Sequence, residues 1–136
     1  SWPLPEGLRG ERVAIHAAKR WTIEEQLVSV SEPFRSALHA AARLGLWSWQ
    51  HPPLGRVVGT VVVTGCTPTE RIVMTMGLTV ASQRELALGD FGRDRHAWQT
   101  RDPIALRQPI LCRGYQRFWM VPPDVEAEIE RQLRAA

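Results

Sequence analysis

Between Arg56 and Cys66 the chain reads Val57-Val58-Gly59-Thr60-Val61-Val62-Val63-Thr64-Gly65, with a β-branched residue at nearly every position. Such side chains are stiff and favour extended backbone, and an unbroken apolar run, unlike an alternating one, demands burial on both faces. Gly59 and Gly65 inside the run mark sharp curvature or close approach of a neighbouring backbone. A long, curved, doubly covered strand is the spine of a small sheet structure. It points to an α+β fold built on a curved sheet or pseudo-β-barrel with flanking helices.

The rest of the chain supplies the other parts. Residues 1 to 10 form an extended lead-in, because Pro3 and Pro5 hold their predecessors extended and Gly7 and Gly10 permit turns. Arg12 to Ala17 alternates as a strand, with Val13, Ile15 and Ala17 on one face and Ala14 and His16 on the other, so His16 is expected opposite the main apolar stripe. Thr22 followed by Glu25 has the form of a capping box and predicts a helix from Ile23 to about Val30. Pro33 suits the first turn of a second helix carrying Phe34, Leu38, Ala41 and Leu44 at helical spacing and stopping at Gly45. Trp47 to Pro53 reads as a loop. Residues 67 to 92 read as an irregular excursion in which Ile72 to Val80 fits strand or helix, ending in the Gly89-Asp90-Phe91-Gly92 turn. Two further strands are predicted over Arg95 to Thr100 and Ile110 to Val121. Pro122-Pro123-Asp124 opens a terminal helix whose acids lie early and whose Arg131 and Arg134 lie late, as the helix dipole favours. No internal repeat is present.

With 136 residues, 44% of them apolar, the chain makes a single domain with one core. No apolar run approaches the ~18 to 20 residues of a spanning helix, so the reading is a soluble, cytoplasmic protein without membrane association. Cys66 and Cys112 have neither disulfide-framework nor zinc-ribbon spacing, and His16, His39, His51 and His96 lack metal-ligand spacing, so no metal and no cofactor is expected. No phosphate-cradling glycine loop or Gly-x-Ser-x-Gly nucleophile motif appears. Glu70, Glu85 and Asp90 are possible acids, but nothing in their spacing assigns a catalytic role.

Charge is unevenly spread. Of the seventeen basic side chains sixteen are Arg and one is Lys19, and residues 91–121 alone carry six Arg against two Asp. Arg95, Arg113 and Arg117 there are interleaved with Trp98, Tyr115, Phe118 and Trp119. Guanidinium groups neutralise phosphates while aromatic faces stack bases, the combination that single-stranded nucleic acid requires. The ordinary alternative places Trp98 and Phe118 in the core and the arginines on a solvated face. Arg113-Gly114 reads as a tight hairpin turn where backbone amides can approach a ligand, and Gln116 beyond it can both donate to and accept from a base edge. His16, with Lys19 and Arg20 just after it, is either a donor to a phosphate or base edge or a hydrogen-bonded structural residue.

Several stretches resemble the ASCH domains, a PUA-like family. Arg9-Gly10-Glu11-Arg12-Val13-Ala14-Ile15-His16-Ala17-Ala18-Lys19 is similar to their RG-x-x-x-IHA-x-K strand, and Pro53-Leu54-Gly55-Arg56-Val57-Val58-Gly59 to the segment leading into their long barrel strand. Arg95-His96-Ala97-Trp98 and Pro109-Ile110-Leu111-Cys112-Arg113-Gly114-Tyr115-Gln116-Arg117-Phe118-Trp119 look like their late strands, especially in bacterial and bacteriophage members. The resemblance implies a nucleic-acid-binding domain, RNA before DNA, reading a single-stranded or modified base in a cleft lined by His16, Lys19, Arg113, Gln116 and Trp119, with Trp2 on its wall and Arg95 in the basic surface. The family's first strand and its Gly-x-Lys-x-x-(Glu/Thr)-x-Arg motif are missing before Trp2-Pro3. That motif carries the Lys of members that are amidohydrolases of acetylated cytidine, so hydrolysis of modified nucleosides, or ribonuclease activity, is the second reading. The chain opens at Ser1 in mid-loop, which leads us to expect an N-terminally incomplete domain. An open first-strand position would accept a strand from a partner, which gives a third reading as an interaction module.

Overall fold

The computed structural model describes residues 2–45, 48, 51–75 and 79–136. In chain order the elements are β1 (Arg12–Ala17), α1 (Ile23–Ser29), α2 (Phe34–Arg43), β2 (Arg56–Pro68), α3 (Thr69–Thr75), α4 (Val80–Leu88), β3 (His96–Leu111) and α5 (Pro123–Arg134). The strands form an antiparallel sheet in the order β1-β2-β3. The class is therefore α+β, but among the described residues the sheet is open, with three strands, and does not close into a barrel. By contacts the chain divides into two compact units, Ser1–Arg12 with Val62–Arg101, and Val13–Val61 with Asp102–Ala136. β2 and β3 each contribute residues to both.

β2 has the burial its valines demand: Val57, Val62 and Val63 are buried, and Thr60 between them is buried too. Its glycines are there for space. A Cβ on Gly59 would lie 2.7 Å from the Ile104 carbonyl oxygen, and one on Gly65 would lie 2.7 Å from Oε1 of Gln99. The neighbouring β3 is one strand of 16 residues, which runs from the predicted Arg95–Thr100 strand through residues 101–109 to Ile110 and Leu111, where the sequence predicts two separate strands. Asp102 takes a left-handed conformation (φ 50°) inside that strand, so Asp102-Pro103 does not end it.

In the second unit, Val57, Leu106, Cys112, Val125 and Ile129 form the core, with Ala14, Ile110, Trp119, Val121 and Leu133 packed against it. α5 contributes Val125 and Ile129 at i, i+4 spacing, and truncating a side chain such as the fully enclosed Leu106 to Ala costs about 2–5 kcal/mol. The alternation of β1 is read the other way round by this core. Ala14 packs on it, whereas Ile15 on the apolar stripe is 43% exposed. His16 therefore shares the core-facing side of β1, because only there do α5 and the segment after β3 supply packing partners.

α1 starts where the capping box predicts. The Thr22 N–H donates to Glu25 at 2.7 Å, and the Thr22 hydroxyl donates to the same carboxylate, whose pKa is held below the usual range mainly by that hydroxyl. α2 places Phe34, Leu38 and Ala41 on its half-buried side and packs on α1. Leu44 falls past its end and is exposed, with Gly45 in the left-handed region (φ 73°). The predicted Trp47–Pro53 loop lies partly outside the described residues; within it Ser48 and His51 form an isolated antiparallel bridge.

In the first unit Gly10 and Glu11 form a bulge opposite Val63: the Gly10 N–H donates to the Val63 carbonyl at 2.7 Å, and the Val63 N–H to the Glu11 carbonyl at 3.0 Å. The geometry needs positive φ at its first residue, met by Gly10 at 87°. The stretch read as irregular contains two helices, α3 and α4. Thr69 is buried at the start of α3, its hydroxyl donating to the Gly92 carbonyl at 2.7 Å, and Thr79 caps α4 by accepting from the Ser82 N–H. The Gly89–Gly92 turn is closed by Asp90 Oδ1, which accepts from the Gly92 N–H at 3.0 Å.

Candidate nucleic-acid interface

In an antiparallel sheet the end of β1, the start of β2 and the end of β3 meet at one edge of the ladder. Gly55 ties them together there. Its N–H donates to the Ala17 carbonyl at 2.8 Å and its own carbonyl accepts from the Cys112 N–H at 3.1 Å. A positive φ of 66° makes this possible, and the alkyl chain of Lys19 lies alongside, 3.8 Å from where a Gly55 side chain would begin.

β3 ends at Leu111, and the predicted strand from Ile110 to Val121 does not continue: residues 112–122 run as irregular chain across the end of the unit. Cys112, the first residue past the strand, is held from two sides. Its N–H is bound to Gly55, while its carbonyl accepts a 2.8 Å hydrogen bond from Nε2 of His16. Arg113-Gly114 is not a hairpin turn. A Cβ on Gly114 would sit 2.5 Å from Cε1 and 2.7 Å from Nδ1 of His16, so glycine is required because the imidazole packs against the backbone.

From His16 a chain of ring contacts runs outward. Its ring meets Trp119 edge-on, centroids 5.7 Å apart and planes at 77°; Trp119 meets Tyr115 in the same manner at 5.6 Å and 67°. The Arg113 guanidinium then lies 5.2 Å from the Tyr115 ring centre. Edge-to-face pairs and cation–π contacts at these distances are favourable by about 0.5–1.5 and 0.5–1 kcal/mol respectively. Trp119 is anchored in the core cluster, while Tyr115 is 59% exposed. The series therefore grades from a fixed inner end to an open outer end. The Cys112 thiol is buried below it, and that burial first and Asp124 second push its pKa up, which disfavours the thiolate.

The structure thus brings His16, Arg113 and Trp119 into one contiguous set, through Tyr115. Lys19 is fixed at the same end of the sheet by Gly55. Gln116 is exposed on the segment that carries Tyr115. Trp2 and Arg95 belong to the other compact unit. There the Trp2 carbonyl accepts from Nε1 of Trp98 at 2.9 Å, and Arg95 pairs with Asp90 at 2.8 Å. Sequence reasoning overlooked the Cys112 carbonyl and Gly55. The glycine after Pro52-Pro53-Leu54 was the available signal; the carbonyl had none, because a backbone acceptor is not written in any side chain. Among the described residues no three His, Cys, Asp or Glu side chains gather as a metal would require, and no helix is long and apolar enough to cross a membrane.

In comparison with known proteins, no family model and no curated relative matches the sequence.

Proposed function

We propose that this chain is a nucleic-acid-binding domain of ASCH-like type that takes single-stranded RNA, or one unstacked or modified base, on the surface formed by Arg113, Tyr115 and Trp119, with Lys19 and Gln116 beside it. The observation that carries this reading is the exposed Tyr115 ring held between the Arg113 guanidinium and the core-anchored Trp119. An aromatic face presented in a fixed attitude next to cations is the element on which bases stack, at about 1–3 kcal/mol per base. His16 acts by positioning: its Nε2 is committed to Cys112, so it holds the segment that bears the contact residues.

The test is anisotropy of a labelled single-stranded RNA, with DNA of the same sequence alongside, titrated at two salt concentrations. Arg113→Ala should weaken binding and lower the salt slope by about 1, while Tyr115→Ala should cost affinity with the slope unchanged. Arg131, paired with Glu128 on α5 at 2.6 Å, is the control. Equal losses for Arg113→Ala and Arg131→Ala would remove this surface as the site. Cleavage of the RNA during the titration would favour the hydrolase reading.

A further inference from the structure

We propose that the cleft beside α1 and α2 binds a small organic cation, an apolar body that carries an ammonium or amidinium group. Its apolar wall follows from helical spacing, since Phe34 and Leu38 stand four residues apart on α2 and share one side of it. With Trp21, Val28 and Pro52 they line a cleft of about 520 Å³, all within the second compact unit. Small-molecule sites span about 300–1,000 Å³ and are likewise mostly apolar, with a few polar groups that fix the ligand's orientation. Trp21 and Phe34 add aromatic rings, whose faces attract cations.

The polar groups decide which ligand fits. They come from α1, as Glu24, Glu25 and Ser29, and among the described residues that line the cleft none is basic. One oxygen of Glu25 is taken by the N–H and hydroxyl of Thr22, and the other pairs with Nε of Arg20 at 2.8 Å. The same guanidinium stands 3.7 Å from Glu24, beyond hydrogen-bond distance, so Glu24 keeps its capacity to accept. Ser29 donates its hydroxyl proton to the Gln26 carbonyl at 2.7 Å and can only accept from a ligand. Two carboxylates against one guanidinium leave the mouth of the cleft negative, and its open positions are acceptors. A ligand that answers both is positive and donates, while the rest of it meets the apolar wall. An anion is repelled, and a neutral molecule gains nothing from the charge of Glu24. The proposal is independent of the nucleic-acid reading, whose ligand is a polyanion.

Three probes that share a phenyl body separate charge from shape: phenethylammonium, phenethyl alcohol and phenylacetate, each titrated into the full chain and followed by two-dimensional NMR. The ammonium should give saturable shifts at the Trp21 indole N–H, assigned by its loss in Trp21→Phe, and at the amides of α1 and α2. It should bind about tenfold more tightly than the alcohol, the worth of one charge-assisted hydrogen bond, and phenylacetate should not bind. Glu24→Gln should bring the ammonium down to the affinity of the alcohol, whereas Arg20→Gln, which removes the competing guanidinium, should tighten it and leave the alcohol unchanged. Glu24 and Arg20 are both exposed, so folding is preserved. Equal affinity for the three probes, shifts confined to other parts of the chain, or indifference to both variants would overturn the proposal. The same holds if the ammonium gives no saturable shift up to about 10 mM.

Discussion

Nε2 of His16 donates to the carbonyl of Cys112 at 2.8 Å, across 96 positions of sequence. This bond fastens the end of β1 to the first residue past β3. The segment from Arg113 to Trp119 is thereby carried away from the sheet and folded back over the imidazole, which is how an arginine and two aromatic rings come to share one surface.

Gly114→Ala tests that arrangement. The added methyl would meet the His16 ring at 2.5 Å, and the ring, fixed by Cys112 and Trp119, has little room to yield. We expect a loss of about 1–3 kcal/mol in chemical denaturation and displaced imidazole resonances in NMR. An alanine variant with unaltered His16 signals would contradict the contact.

Gly59→Ala should be at least as damaging, for a different reason. Its methyl would meet a backbone oxygen, that of Ile104, at 2.7 Å, and backbone in the middle of a sheet moves less readily than a side chain. Overpacking of this kind costs about 1–3 kcal/mol, read as a lower denaturant midpoint with the slope unchanged.

Gln132→Ala removes both partners of the Gln108 backbone. Each lost hydrogen bond is worth about 0.5–1.5 kcal/mol, and the β3 edge becomes available to other chains. The expected outcome is a lower melting temperature accompanied by light scattering on heating.

Acid should reveal Glu128. Its carboxyl is held down to about 2 by hydrogen bonds from Arg131 first and Gln132 second. A carboxyl depressed in the folded state contributes stability that is present above its ordinary pKa near 4.5 and is lost as pH falls through about 2. Between those values Glu128→Gln should lose stability less steeply than the parent in urea titrations, and parallel curves would count against the assignment. The pair is exposed, so added salt should shrink the difference.

Much of the local structure was readable residue by residue. β1 and α1 begin where alternation and the capping box put them, β2 follows from its valines, and α5 follows from Pro122-Pro123-Asp124. These signals work because they depend on neighbours within about one helical turn or one strand period. The failures have a common cause. The face of β1 and the single length of β3 both depend on residues far away in sequence: α5 against Ala14, and β2 along Asp102. Periodicity can say that Val13 and Ile15 share a side, but not which side meets the core. The helices α3 and α4 were missed because short apolar segments such as Ile72 to Met74 satisfy both periods.

The sequence by itself determined the α+β class, the position of the long central strand and the concentration of arginine and aromatic residues between positions 91 and 121. Only the tertiary structure decided which of those residues meet. Composition cannot separate Arg113, set over Tyr115, from Arg95, paired with Asp90, because a guanidinium's role is fixed by the partner within reach. That partner is set by the hydrogen bond between His16 and Cys112 and by the missing side chain at Gly114, which together hold the segment that carries the candidate binding surface.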